Sequence, residues 1–189
     1  MMSLEQIILA LPAILLAISV HEYGHAFAAY KLGDPTPKYQ GRLSLNPLAH
    51  LDPLGTIMLL LFRVGWARPV MINSQYFKNK KQGTILVSLA GPLANMITAW
   101  IFYNLISVFG NHMLGSVTGQ SLFMFLLVNV QMNLGLAAFN LIPIPPLDGS
   151  HILAGILPRR LAYQYSKFAP YGPFVLMALL IFGGSRYLI

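Results

Sequence analysis

The feature that most constrains this chain is a set of apolar runs as long as a bilayer is thick, joined by short links that hold nearly all the charge. About 20 apolar residues in a helix cross a hydrocarbon core of about 30 Å. The runs from about Leu4 to Tyr30, Thr84 to Phe109 and Ser121 to Ile142 meet that length. A last one, from Phe174 or somewhat earlier to Ile189, adds a fourth crossing. Hydrophobic residues make up 56% of the 189 residues and charged residues 9%, against about 25% charged in a soluble domain. The predicted fold class is therefore an all-α membrane protein. It is a polytopic helix bundle of about four full spans plus a re-entrant or β-hairpin segment, forming one domain over residues 1–189.

The formal net charge is +7. In a soluble protein that balance would suggest nucleic acid. Here eleven of the twelve Lys and Arg lie in the links 31–42, 63–81 and 159–167. The positive-inside rule assigns all three links to the cytoplasmic face of a cell membrane, and no nucleic-acid partner is expected. The N-terminus and residues 110–120 then lie outside. Residues 44–62, with the short apolar piece Leu54 to Phe62, must leave and return on one face. With no cysteine, disulfides, thiolate metal sites and cysteine nucleophiles are excluded. No signal peptide is expected, because the first basic residue is Lys31.

His21-Glu22-Tyr23-Gly24-His25 fits H-E-x-x-H. Residues four apart share a helix face, so both imidazoles can reach one metal ion. Glu22 lies about 100° round the wheel from His21, within reach of a water at that metal. His25 is six residues before Lys31 and His21 ten, which sets the cluster roughly 9–15 Å below the basic link. A charged side chain at a membrane helix centre costs about 2.5–3.5 kcal/mol or more, so a Glu flanked by two His needs a reason. The bland alternative is a polar helix-packing seam.

A catalytic zinc site takes three protein ligands and an open position. Of the other four acidic residues, Glu5 is near the outer end of the first run, Asp34 is in a Gly-Asp-Pro-Thr-Pro turn expected at the surface, and Asp52 suits a helix cap before Pro53. Asp148 sits in a proline-broken stretch between apolar runs, and irregular backbone at membrane depth is tolerated only inside protein or along a polar cavity. It is the best third ligand; a surface Asp-Gly turn is the alternative. His50 in the hairpin and His112 in the outer loop are not favoured as ligands. His151 suits a packing or interfacial role better than the site.

These residues stand in three ordered motifs. His21-Glu22-x-x-His25 is followed by Gly91-Pro92-Leu93-Ala94-Asn95 and then by Asn140-Leu141-Ile142-Pro143-Ile144-Pro145-Pro146-Leu147-Asp148-Gly149. Together they resemble the site-2 protease family of intramembrane zinc metallopeptidases (peptidase M50 type), in a compact form where no PDZ domain or CBS pair is read. Gly41 to Gly55, which contains Asn46-Pro47 and Asp52-Pro53, resembles bacterial and archaeal members. The resemblance implies one zinc ion on His21, His25 and Asp148, with Glu22 as general base. It also implies a transmembrane protein as substrate and the lipid bilayer as surroundings. Asn95 is then a candidate to stabilise an oxyanion. Asn140 is a candidate to orient the substrate backbone or the Asp148 loop. The bland reading of both is an interhelical hydrogen bond, worth about 0.6 kcal/mol.

A substrate helix must unwind before its carbonyls can be attacked. Gln40 to Asn46 alternates polar and apolar, and Trp66 to Asn73 reads as extended, so either offers an edge for an added substrate strand. Three rival readings remain at this stage: a metal transporter, a silent relative that only binds, and a zinc hydrolase of lipid or prenylated substrates.

Overall fold

A computed structural model describes residues 4–52, 54–55, 57–58 and 68–179. Three long helices dominate it: α1 (Leu4–Lys31), α3 (Lys80–Met113) and α4 (Val117–Asn140). Short α2 (Thr36–Tyr39) follows α1, and three short helices follow α4: α5 (Asp148–Ile156), α6 (Arg159–Ser166) and α7 (Gly172–Leu179). α1, α3 and α4 all pack on one another, and α5 packs on α3. Among the described residues, α3 and α4 are long and apolar enough to cross a membrane, by length and composition. At about 1.5 Å per residue, their 34 and 24 residues exceed a hydrocarbon core.

The bundle is built with small and polar residues inside and large apolar ones outside. Ala10, Ala13, Ala17, His21, Gly24 and His25 lie along one buried stripe of α1. Gly24 is needed there, because a Cβ would lie 2.6 Å from the Ala90 carbonyl oxygen of α3. Small residues let membrane helices approach closely, and buried amides and hydroxyls join them. Ser88 and Asn95 of α3 and Asn129 and Asn133 of α4 are buried, whereas Leu93, Ile97, Trp100, Ile101, Leu122 and Leu134 are exposed. Soluble monomers rarely expose so much contiguous apolar surface; in lipid it is the favourable side.

Several expectations change. Residues 110–120 are mostly helical: α3 runs on to Met113, carrying His112 in its last turn, and α4 starts at Val117 with Ser116 as N-cap. Asp148 opens α5 rather than sitting in an irregular loop, and a carboxylate in the first turn suits the helix dipole. Among the described residues no β-hairpin forms between residues 40 and 73. One backbone bond, from Arg68 N–H to His50 C=O at 2.8 Å, joins the two sides, and a 3-10 turn spans Pro47–Ala49. Asp34, expected at the surface, and His50, assigned to the hairpin, are both fully buried. Asp52 does act as a cap, accepting from Gly55 N–H at 2.8 Å. The rest of the re-entrant piece and most of the last predicted crossing, residues 180–189, lie outside the described residues.

The basic links gather at one end of the bundle. Asp34 accepts from Asn73 N–H at 2.6 Å, tying the first link to the second. Lys81 donates to the Leu157 carbonyl at 3.2 Å, tying the second to the end of α5, just before the third.

Candidate metal centre

His21 and His25 are one helical turn apart on the buried stripe of α1, and α5 carries Asp148 to them. The Nε2 atoms of the two histidines are 3.1 Å apart. Asp148 Oδ2 is 3.1 Å from the first and 3.2 Å from the second. A tetrahedral ion with bonds of about 2.0–2.1 Å holds its ligands roughly 3.3 Å apart, so the triangle matches one zinc ion with a face left open.

The other ring nitrogens fix which lone pairs point inward. His21 Nδ1 is 2.7 Å from Asn95 Oδ1, and His25 Nδ1 is 2.7 Å from the Val87 carbonyl oxygen. Both partners are acceptors, so each Nδ1 carries the proton and each Nε2 presents a lone pair. Asp148 Oδ2 is buried and has no hydrogen-bond partner among the described residues. With both imidazoles neutral, three acceptors converge, and a cation satisfies the set.

Two glycines make room for it. A Cβ at Gly91 would lie 2.5 Å from His25 Cε1 and Nε2 and 2.8 Å from His21 Cε1. A Cβ at Gly149 would strike the Leu141 and Ile142 carbonyls at the end of α4. Pro92 lacks the N–H that would bond the Ser88 carbonyl one turn back, next to Val87.

Asn95 is completely buried. Its oxygen meets His21, and its nitrogen donates to the Ala17 carbonyl at 2.9 Å and to Asn133 Oδ1 at 2.8 Å. Both amide hydrogens are engaged in this arrangement, so Asn95 positions a ligand and has no N–H free for an oxyanion. Asn133 supports Asn95 from α4, a role that its place as one polar residue in an apolar run hints at but does not specify. Asn140 bonds within its own helix, donating to the Leu136 carbonyl at 3.0 Å. His151 is exposed on α5, and His50 bonds the Ser44 carbonyl oxygen at 2.7 Å, so neither joins the centre. Glu22 is half-buried, and its Oε2 accepts from Val70 N–H at 3.2 Å.

Two helix-borne histidines and a carboxylate that could hold one metal ion, with a glutamate beside the first histidine, fit the donor set of a zinc metallopeptidase. The profile of peptidase family M50 matches residues 9–182. The chain belongs to that family, the site-2 protease type, and is a zinc metalloprotease of a membrane-protein family. It is 39% identical to YwhC of Bacillus subtilis, a protein assigned as a zinc metalloprotease, over 93% of this chain and 81% of that one. Rip2 of Mycolicibacterium smegmatis, assigned likewise, is 29% identical over 92% of this chain and 67% of its own. The zinc metalloprotease MJ0392 of Methanocaldococcus jannaschii is 29% identical over 90% of this chain and 42% of its own length. No solved structure gives a significant match.

Proposed function

We propose that this protein is an intramembrane zinc endopeptidase that hydrolyses peptide bonds in or near transmembrane segments of other membrane proteins. The observation that carries the reading is the convergence of His21, His25 and Asp148 inside a bundle whose large apolar side chains face outward. The whole chain, 1–189, acts as one membrane domain. It crosses the bilayer about four times, with a re-entrant segment between α2 and α3. The links 31–42, 63–81 and 159–167 face the cytoplasm, and the N-terminus and the α3–α4 turn face outward. What supports this orientation is the gathering of the three basic links at one end.

His21, His25 and Asp148 hold the zinc ion, which supplies Lewis acidity and lowers the pKa of water to about 7. Glu22 is the general base. It takes a proton from the attacking water and delivers it to the leaving amine. With Oε2 engaged by Val70, Oε1 is the oxygen that carries this proton. Asn140, at the end of α4 before the Asp148 stretch, orients the unwound substrate. The edge for that substrate is the backbone of residues 40–46 or 66–73.

The test compares purified wild type with Glu22→Gln for zinc content and for cleavage of a transmembrane test substrate. One zinc on each and cleavage by wild type only is the expected result. Zinc on both, no cleavage of several membrane substrates, and metal flux into liposomes would replace the peptidase with a transporter. Proline substitutions within residues 40–46 should impair cleavage and leave zinc in place; undiminished cleavage would remove that segment as the edge.

A further inference from the structure

Two buried charges of opposite sign sit at the two ends of one short segment, residues 68–73, and Glu22 meets its middle. At one end, Arg42 is 4% exposed and donates through Nη1 to the carbonyl oxygens of Ala49 and, at 3.4 Å, Arg68. Its hydrogen-bond partners among the described residues are thus carbonyls. A buried cation is costly unless its N–H groups are used, and the guanidinium fork is suited to bridging two chain segments. Arg68 N–H adds a bond to His50 C=O at 2.8 Å, from the residue after Ala49. At the other end, Asp34 is fully buried and accepts from Thr36 N–H at 2.9 Å and Asn73 N–H at 2.6 Å. Between the two anchors, Val70 N–H donates to Glu22 Oε2 at 3.2 Å.

We propose that residues 68–73 form a strap that fixes the Glu22 carboxylate, and that Arg42 and Asp34 are positioning residues that pin its two ends. A glutamate on a helix surface has rotamer freedom to lose. A pinned N–H holds one oxygen and aims the other, which keeps the base in a reactive geometry. The metal ligands draw their own support from α3 and α5, so this device acts on the base and leaves metal binding alone. The inference rests on Glu22 being the general base.

The test uses the full chain in detergent and two independent readouts. The sequence contains no cysteine, so Val70→Cys, at a position 9% exposed, carries the single thiol and keeps the backbone N–H. Maleimide should label it slowly in the otherwise wild-type chain. Adding Arg42→Gln or Asp34→Ala should speed labelling roughly tenfold or more as the strap opens. Unchanged labelling in both would overturn the strap.

The second readout is turnover without the introduced thiol. Arg42→Gln should lower kcat by about 10–100-fold while zinc per chain stays at the wild-type level, and Arg42→Lys should recover part of the loss. In a Glu22→Asp background the same Arg42→Gln change should cost less than about threefold, because residues that act as a unit are not additive. Losses that multiply, or a loss of zinc, would overturn the positioning role. A wild type that binds zinc but cuts nothing refutes the peptidase reading, while the labelling result still decides whether the strap exists.

Discussion

The two halves of the site are held in place by different kinds of structure. The three residues of the triangle are supported by neutral groups on helices: an amide and a backbone carbonyl of long α3 for His21 and His25, and the N-terminus of short α5 for Asp148. Glu22 is supported by one backbone N–H from a segment without regular structure. Helix-borne support is cooperative and stiff, whereas a loop N–H stays in place only while its segment is anchored. The difference teaches that the His21–His25–Asp148 triangle and the Glu22 carboxylate are held by separate parts of this fold.

The strongest way to break that separation is to remove a ligand. Asp148→Ala should abolish stable zinc binding and with it all cleavage, measured by metal analysis of the purified protein. If zinc stays at one per chain, the triangle of His21, His25 and Asp148 is not the metal site. Next in size is Glu22→Gln, which removes the proposed base and keeps the proposed ligands. Its cleavage rate should fall by about 10²–10⁴-fold at unchanged zinc content. A parallel fall in zinc would merge the two halves that the geometry keeps apart.

Gly91→Ala sharpens the comparison from the helical side. The new methyl would lie 2.5 Å from two His25 ring atoms, and its neighbours are histidine ring atoms held by hydrogen bonds, not free ends of flexible chains. Overpacking of this kind costs about 1–3 kcal/mol. α3 must move away from α1, so zinc affinity and thermal stability should fall together. Wild-type values for both would show that the helices are further apart than described. Asn95→Ala comes next. Loss of a partner that orients a metal-bound histidine typically costs 10–100-fold in metal affinity, to be read by competition with a chelator.

The convergence of His21, His25 and Asp148 is legible in the sequence because the chemistry of such a cluster is tied to spacing. Two histidines four apart on an apolar run can only share a face, and five acidic residues leave few choices for a third ligand. Supports were harder to read. Asp34 lies in a Gly-Asp-Pro-Thr-Pro stretch that looks like a surface turn, and nothing local reveals that Asn73, 39 positions on, brings an N–H to it. Arg42 counts as one more basic residue of a cytoplasmic link, although its guanidinium is buried against carbonyls. Helix ends are hidden in the sequence for a related reason. Lys80, Lys81 and Gln82 are too polar to join an apolar run, yet Asn79 caps the helix by accepting from Gln82 N–H. Periodicity reports faces and spans; which distant backbone group meets a polar side chain is set by tertiary packing.

The smallest effect is expected one step further from the metal. Asn133 is fully buried and accepts from Asn95 Nδ2, and its own nitrogen donates to the Asn129 carbonyl at 2.9 Å. Asn133→Ala leaves one Asn95 hydrogen without its acceptor, at a cost of about 1 kcal/mol by averages for single hydrogen bonds. Asn95 keeps its bond to Ala17, so His21 stays oriented, and zinc affinity should fall by less than about tenfold. In an Asn95→Ala background the same change should add almost nothing, because the two residues share one chain of contacts to His21. Should Asn133→Ala weaken zinc as much as Asn95→Ala does, α4 holds the ligand sphere directly, and the support for His21 comes from two helices in equal measure.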